Sequence, residues 1–245
     1  MAGQIEGKNP ILEALRANHT IDKILISKDI GRHSAVAEIL HIAKQKGIPT
    51  VYVDKPKLDA ISQTGSHQGL IAYMPEKGYV DIEDIVEKAN ERNENPFIIM
   101  LDGIEDPHNL GAILRSAEGA GVHGVVIPKR RAVGLTATVA KTSAGAVEYV
   151  PVAKVSNLSD AISKLKKHNI WIVGVEGEGK TSYTKFDFNM PVAIIIGSEG
   201  GGIARLVKEN CDELVSIPMK GEVSSLNASV AAAVVMYEVL KQREK

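Results

Sequence analysis

One arginine has a glycine four residues before it and another four residues after it, in the segment IEDPHNLGAILRSAEGAG, residues 104–121. Asp106 and Pro107 make a helix start, a capping carboxylate followed by a proline at the first helical position. At about 100° per residue, Leu110, Ile113, Leu114, Ala117 and Ala120 gather on one side as a core face. Arg115 points roughly the other way. Gly111 and Gly119 each cost the helix about 1 kcal/mol of propensity. They leave the surface around Arg115 bare enough for a second backbone or a nucleotide to approach. The same residues also fit a solvated outer face on which Arg115 pairs with Glu118 and contributes little. His108, beside Asn109, is of a type that carries protons in catalysis, although nothing else marks it.

Two glycine-rich stretches have phosphate-loop character. GVEGEGKT, Gly174 to Thr181, matches the pattern G-x-x-x-x-G-K-[ST] and follows the apolar run WIV. A true phosphate loop feeds into a helix whose N-terminus holds the phosphates. Here the continuation SYTKFDFNMP has no helical period, and Glu176 and Glu178 would set carboxylates beside the anion. A strand-to-loop turn is the better reading, with a nucleotide triphosphatase as its rival. GSEGGGI, Gly197 to Ile203, follows the run VAIIIG. Its glycines let backbone N–H groups approach a ligand, and they serve a plain strand–helix turn equally well. The third segment is IPMKGEVSSLNASVAAAVVMYE, Ile217 to Glu238. Ser224 or Ser225 is expected to cap a helix that is apolar almost all round and therefore buried. Asn227 and Ser229 in its first turns need partners, supplied either by ordinary capping or by a ligand.

The surrounding elements are those of an α/β chain. NPILEALRAN reads as a helix capped by Asn9, IDKILIS as a strand, and HSAVAEILHIAKQKG as a helix closed by Gly47. IPTVYVD and QGLIAYM read as strands, with a short helix KLDAISQ between them. This first unit is assigned to residues 1–75. A polar connector with one short helix, residues 76–96, follows it. In residues 97–245 the strands FIIMLD, GVVIP, WIVGVE, VAIIIG and LVSIP are nearly continuous apolar runs, the pattern of a parallel sheet covered on both faces. NLGAILRSAEGAG, TVAKTSAGAVE, LSDAISKLKKHN and GIARLVKENC are the expected helices between them.

Composition narrows the classes. The chain has 245 residues, 44% hydrophobic and 24% charged, with a net charge of -1, so it is not a globally basic nucleic-acid binder. Aromatics are 4%, which predicts an aliphatic core. The single cysteine, Cys211, excludes an intrachain disulfide and fits a reducing cytoplasm, and it reads as a small core residue. No apolar run is long enough to span a bilayer. A local basic run, Lys129 to Arg131, follows a strand end, where ligands gather in open α/β sheets. The first unit has nine Lys/Arg against seven Asp/Glu, only a slight positive bias.

NLGAILRSAEGAG, IIIGSEGGGI and IPMKGEVSSLNASVAAAVVMYE, in this order, resemble the SpoU (TrmH-like) branch of the SPOUT RNA 2'-O-ribose methyltransferases, over about residues 97–245. The first unit resembles the small ribosomal-protein-like (L30e/L7Ae-type) RNA-binding domain that precedes the catalytic domain in some members. The resemblance implies a parallel-sheet domain with a deep C-terminal trefoil knot, S-adenosylmethionine as cofactor, and a cytoplasmic homodimer with the site near the subunit interface. It places Gly197, Ile217 and Leu226 around the cofactor, with Gly177 and Ser143 as further candidates for the same wall. It assigns Arg115 the catalytic role and Asn109, Glu199, Ser225 and Asn227 to holding the site. A guanidinium stays protonated, so Arg115 is expected to grip a phosphate and stabilise an alkoxide rather than act as a base. With this domain and length, the implied substrate is a guanosine 2'-hydroxyl in bacterial 23S ribosomal RNA. A transfer-RNA methyltransferase and a non-catalytic RNA-binding assembly protein are the alternatives.

Overall fold

In the computed structural model, residues 3–16, 20–31, 33–62, 64–74 and 78–244 are described. The chain divides into two units at Gly78/Tyr79. In the first, β1 (Gly3–Glu6), α1 (Lys8–Arg16), β2 (Lys23–Ser27), α2 (Ser34–Gln45), β3 (Thr50–Val53), α3 (Lys55–Ile61) and β4 (Leu70–Met74) follow in order. The sheet order is β1-β4-β2-β3, with only β2 and β3 parallel. Ile11, Leu15 and Ile39 of the two longer helices pack on Ile24, Ile26, Leu70 and Ala72 on one face of the sheet. Leu58 of α3 packs on Leu25 and Ile71 on the other. The strand β1 went unread because GQIE offers one apolar residue and no alternation. The ends of two expected helices, Ala17 with Asn18 and Gln63, lie outside the described residues, as do Pro75 to Lys77 at the expected boundary.

The second unit begins inside the segment read as a connector. There α4 (Ile82–Glu91) has a reciprocal capping box between Asp81 and Asp84. It buries Ile82, Ile85 and Val86 against Ile98, Met100 and Val126. Residues 79–96 therefore belong to the second unit, which corrects the connector assignment of 76–96 where the chain is described. Its charged outer face hid an apolar stripe.

Next come β5 (Phe97–Asp102), α5 (Pro107–Gly119), β6 (Gly124–Pro128), α6 (Ala137–Thr142), β7 (Val152–Val155), α7 (Leu158–Lys167), β8 (Trp171–Val175), β9 (Thr181–Ser182), β10 (Val192–Gly197), α8 (Arg205–Lys208), β11 (Glu213–Ser216) and α9 (Ala228–Arg243). The seven strands are all parallel, in the order β7-β6-β5-β10-β8-β11-β9. The central strands β5 and β10 send alternate side chains into two separate cores, one under α5 and α9 and one under α4 and α7. That is why their sequences are continuously apolar.

Three expected helices differ. TVAKTSAGAVE breaks after α6 because Ala144 and Gly145 take φ of 50° and 88°, and only a short 3-10 turn, Ala146–Glu148, follows. GIARLVKENC forms only a single turn, α8, beginning at Arg205, and the N–H groups of Ile203 and Ala204 before it are held by the carboxylates of Glu176 and Asp102. The last helix starts at Ala228 with Asn227 as its cap, so neither Ser224 nor Ser225 caps it. Nor is it buried all round: Val230 and Tyr237 are about half exposed.

His123, buried at the start of β6, joins α4 to β5. Its Nδ1 accepts the Phe97 N–H at 3.0 Å, and Nε2 lies 2.9 Å from Glu94. An accepting Nδ1 requires a neutral ring. Burial pushes the imidazole below the usual histidine range, while the Glu94 contact pulls it up and loses. With the folded value depressed, the unfolded chain takes up a proton first as pH falls. Stability from this site is complete above about pH 6.5 and is lost as pH drops toward the folded value. Urea midpoints should therefore fall on acidification through this window, with a shallower slope for His123→Gln.

Candidate functional site

A cavity of about 270 Å³ opens where β8, β10 and β11 end, the end of a parallel sheet where ligands bind. Glu176 and Gly177 line it from the loop after β8. Gly197, Ser198, Glu199, Gly200 and Gly202 line it from the loop after β10. Ile217, Met219, Ser224, Ser225 and Leu226 come from the long loop after β11, and Ala228 and Ala231 from α9. Four of the five residues expected around a cofactor, Gly177, Gly197, Ile217 and Leu226, are therefore brought together.

The loop after β10 is a tight hairpin. Ser198 and Gly202 exchange two backbone hydrogen bonds of 3.1 and 2.9 Å. Gly202 has φ of 60°, and a Cβ at Gly197 would lie 2.2 Å from the Gly202 carbonyl carbon. Only glycine fits at Gly197, because any side chain there would strike the hairpin's own backbone at Gly202 and Ile203.

Glu199, at the hairpin tip, ties the three segments together. Its Oε1 accepts from Asn109 Nδ2 at 3.0 Å, from the Ala228 N–H at 3.3 Å, and from Asn227 Nδ2. Asn227 Nδ2 also reaches Asn109 Oδ1 at 3.0 Å. The Asn227 side-chain oxygen caps α9 by accepting from the Ser229 and Val230 N–H groups. The polar residues at this helix start are thus satisfied within the chain. Asn109, Glu199 and Asn227 form one network, and Ser225 stands exposed in the cavity wall beside it.

Arg115 is not part of that wall. It lies exposed on α5, six residues or about 9 Å along the helix from Asn109, and makes no hydrogen bond or ion pair with any described residue. The pairing with Glu118 is absent. The flanking glycines have another use than an open groove. A Cβ at Gly111 would fall 1.9 Å from Thr142 Oγ1 of α6, and one at Gly119 would fall 2.9 Å from the Tyr237 hydroxyl of α9. They let two helices close on α5. Ser143 is also elsewhere: it is fully buried and bonds the Ala140 carbonyl beneath α5, outside the cavity. His108 donates only its backbone N–H to Asp106.

The GVEGEGKT match is a turn. Glu176 and Gly179 close it, β9 follows, and no helix starts there, so the triphosphatase reading fails on backbone geometry. Sequence reasoning missed the roles of Glu176 and Asp102. Glu176 Oε1 accepts the Ile203 N–H at 2.6 Å, and Asp102 Oδ2 accepts the Ala204 N–H at 2.7 Å. Their signal was an acid at the end of each of two apolar strands. Cys211 is half-buried and its thiol is pushed up to about 11, first by burial and then by Asp212, which agrees with a packing role. Lys129, Arg130 and Arg131 are exposed, with Arg131 at φ of 53°. Their loop is fixed by Val133 N–H to the Ile104 carbonyl and by Leu135 N–H to the Tyr79 hydroxyl, both 3.0 Å.

The chain is similar to known proteins throughout. The model of the SpoU rRNA methylase family matches residues 96–237. The model described as RNA 2'-O ribose methyltransferase substrate binding matches residues 4–80. YacO of Bacillus subtilis, assigned to the TrmH family of tRNA/rRNA methyltransferases, is 47% identical over 97% of this chain and 94% of its own length. A solved RNA 2'-O ribose methyltransferase is 30% identical with a TM-score of 0.65, covering 99% of this chain and 89% of that one. The SpoU methyltransferase AviRb of Streptomyces viridochromogenes, solved with AdoMet, has the same fold: TM-score 0.74 at 24% identity, over 98% of this chain and 90% of that one. The chain therefore belongs to the SpoU rRNA methylase family and is an RNA 2'-O-ribose methyltransferase.

Proposed function

We propose that the chain transfers a methyl group from S-adenosylmethionine to the 2'-hydroxyl of a guanosine in 23S ribosomal RNA. The observation that carries the cofactor assignment is the cavity itself. Its wall holds two carboxylates, Glu176 and Glu199, and no Lys, Arg or His. Such a wall repels a polyphosphate and suits a ligand bearing positive charge. Gly177, Gly197, Ile217 and Leu226 would hold the cofactor. When bound, it supplies an electrophilic methyl group on a sulfonium. The AdoMet complexes of AviRb and of a Sinorhizobium meliloti rRNA methyltransferase support this choice.

The chain's own residues would orient the acceptor. The Asn109–Glu199–Asn227 network fixes the start of α5 relative to the hairpin and to α9, and Ser225 offers a hydroxyl at the cavity wall. Arg115, with no partner among the described residues, grips a phosphate beside the target ribose and stabilises the alkoxide as it forms. The proton goes to that phosphate or to water. Lys129 to Arg131, on a fixed loop, meet further phosphates, so binding weakens as salt rises. The first unit, whose strand order and helices support an L30e/L7Ae-type domain, contributes to RNA binding. No helix among the described residues is long and apolar enough to cross a membrane.

Two further parts of this reading concern the chain path and assembly. The strand β10 lies between β5 and β8, the chain then passes beyond β8 to β11, and α9 returns to pack on α5. That path supports a C-terminal trefoil knot. Exposed Val230 and Tyr237 on α9, the latter beside Gly119 of α5, support a homodimer formed through the face that also carries Arg115. A cytoplasmic location follows from the substrate.

Methyl transfer from labelled S-adenosylmethionine to unmethylated bacterial ribosomal and transfer RNA tests the function, with nuclease mapping of the product. A 2'-O-methylguanosine in 23S RNA is the expected result. Label in transfer RNA alone would overturn the substrate and keep the chemistry, a distinction the relatives' tRNA/rRNA names leave to experiment. No label in either RNA, with cofactor bound, would point to the non-catalytic alternative.

A further inference from the structure

Glu176 is the wall carboxylate that the methyl-transfer reading leaves without a task. It follows β8 directly, and its side chain is 11% exposed. Oε1 accepts the Ile203 N–H, and Oε2 lies 3.2 Å from Lys208 Nζ, which is itself 30% exposed and does not line the cavity. The other wall carboxylate, Glu199, is committed to Asn109, Asn227 and Ala228. Glu199 keeps its charge, since its donors are neutral, but it also holds three segments in register; Glu176 can be neutralised without breaking that network, and its charged partner among the described residues, Lys208, lies outside the cavity wall.

We infer that Glu176 sets the preference of this cavity for the charged cofactor over its neutral product, an inference that rests on the S-adenosylmethionine reading above. The two compounds share the adenosine and the amino-acid end. They differ in one methyl group and in the positive charge on sulfur. Interactions with the shared parts cancel in the ratio of the two affinities, and a wall charge does not. The space open to water centres, taken as a sphere, is about 8 Å across, or about 11 Å from wall to wall, so a ligand filling it has its sulfur within about 11 Å of the wall. At an effective dielectric of about 20, one unit charge at that range shifts the ratio by about tenfold or somewhat more. The benefit falls after each turnover: once the methyl group has left, the cavity holds the remaining thioether less tightly and releases it.

The test is calorimetric titration of the full chain with S-adenosylmethionine and with S-adenosylhomocysteine. Glu176→Gln keeps an oxygen that can accept the Ile203 N–H and removes the charge. The ratio of the two affinities should move about tenfold toward the product. Lys208→Gln removes the opposing charge and should move the ratio the other way, by about threefold. Opposite signs from two partners of one ion pair cannot come from a loosened loop. Glu178→Gln, one charge removed from the same turn but outside the cavity wall, should leave the ratio within about twofold. Equal weakening of both ligands by Glu176→Gln, with the ratio unchanged, would show Glu176 to be an anchor for the hairpin only and would overturn the inference. Failure of the unaltered chain to bind S-adenosylmethionine at all would overturn the cofactor reading, and this inference with it.

Discussion

Arg115→Ala should lower the single-turnover rate of methyl transfer to RNA by about 10²–10³-fold, the scale of losing one charged donor at a developing oxyanion. The affinity for S-adenosylmethionine should stay within about twofold. Both halves follow from where the side chain lies. Arg115 is exposed, has no hydrogen-bond or ion-pair partner among the described residues, and does not line the cavity. Its removal leaves the α5 core face of Leu110, Ile113, Leu114 and Ala117 untouched, and alanine is the better helix former. The melting temperature should therefore hold or rise slightly. Arg115→Lys separates charge from geometry: a point charge replaces a planar fork, and an intermediate rate is expected. Unchanged methyl transfer by Arg115→Ala would remove the arginine from the mechanism. Loss of cofactor affinity together with activity would place it at the cavity of an assembled dimer.

The strands of the second unit were legible because burial on both faces leaves a mark no solvent-facing strand has: FIIMLD and VAIIIG contain one polar residue between them, Asp102, at the strand end. The short edge strands β1 and β9 carry too few apolar side chains to show a period, and β7, VAKV, is mostly apolar but only four residues long. The site was legible in its residue types and less so in its geometry. Gly111 and Gly119 read correctly as places of close approach, but a sequence cannot say whether a helix or a nucleotide does the approaching. Asn227 was marked as a polar residue needing a partner. That its partners would be Asn109 and Glu199, 118 and 28 residues away, is a tertiary fact. Glu176 was seen only as an argument against a phosphate loop, because its acceptor role depends on a hairpin arriving from β10. Ser143 shows the opposite error: its position along the chain fitted the resemblance, yet it lies under α5.

The second large effect belongs to Glu199. One carboxylate oxygen there receives Asn109, Asn227 and the Ala228 N–H, so Glu199→Ala removes the acceptor for all three. Hydrogen bonds to a charged group contribute about 1.5–3 kcal/mol each when buried. Glu199 and Asn227 are exposed and Asn109 is half-buried, so the three together are expected to contribute about 2 kcal/mol, a fall of about 4–8 °C in the melting temperature of the second unit. The kinetic effect should be larger than the stability effect. The hairpin base remains pinned by Asp102 and Glu176, so the cavity survives, but its tip is no longer registered against α5 and α9. An acceptor displaced by about 1 Å from its near-attack pose loses about 10²-fold in rate. Glu199→Ala should therefore lower kcat by about that factor, with a change in the cofactor's Kd of less than about tenfold. Glu199→Gln retains one acceptor oxygen and should recover most of the melting temperature and part of kcat. If Glu199→Ala instead abolished cofactor binding and left kcat at saturation unchanged, the carboxylate would be a direct ligand-holding group, and the network would be a consequence of its position rather than the device that aligns the reaction.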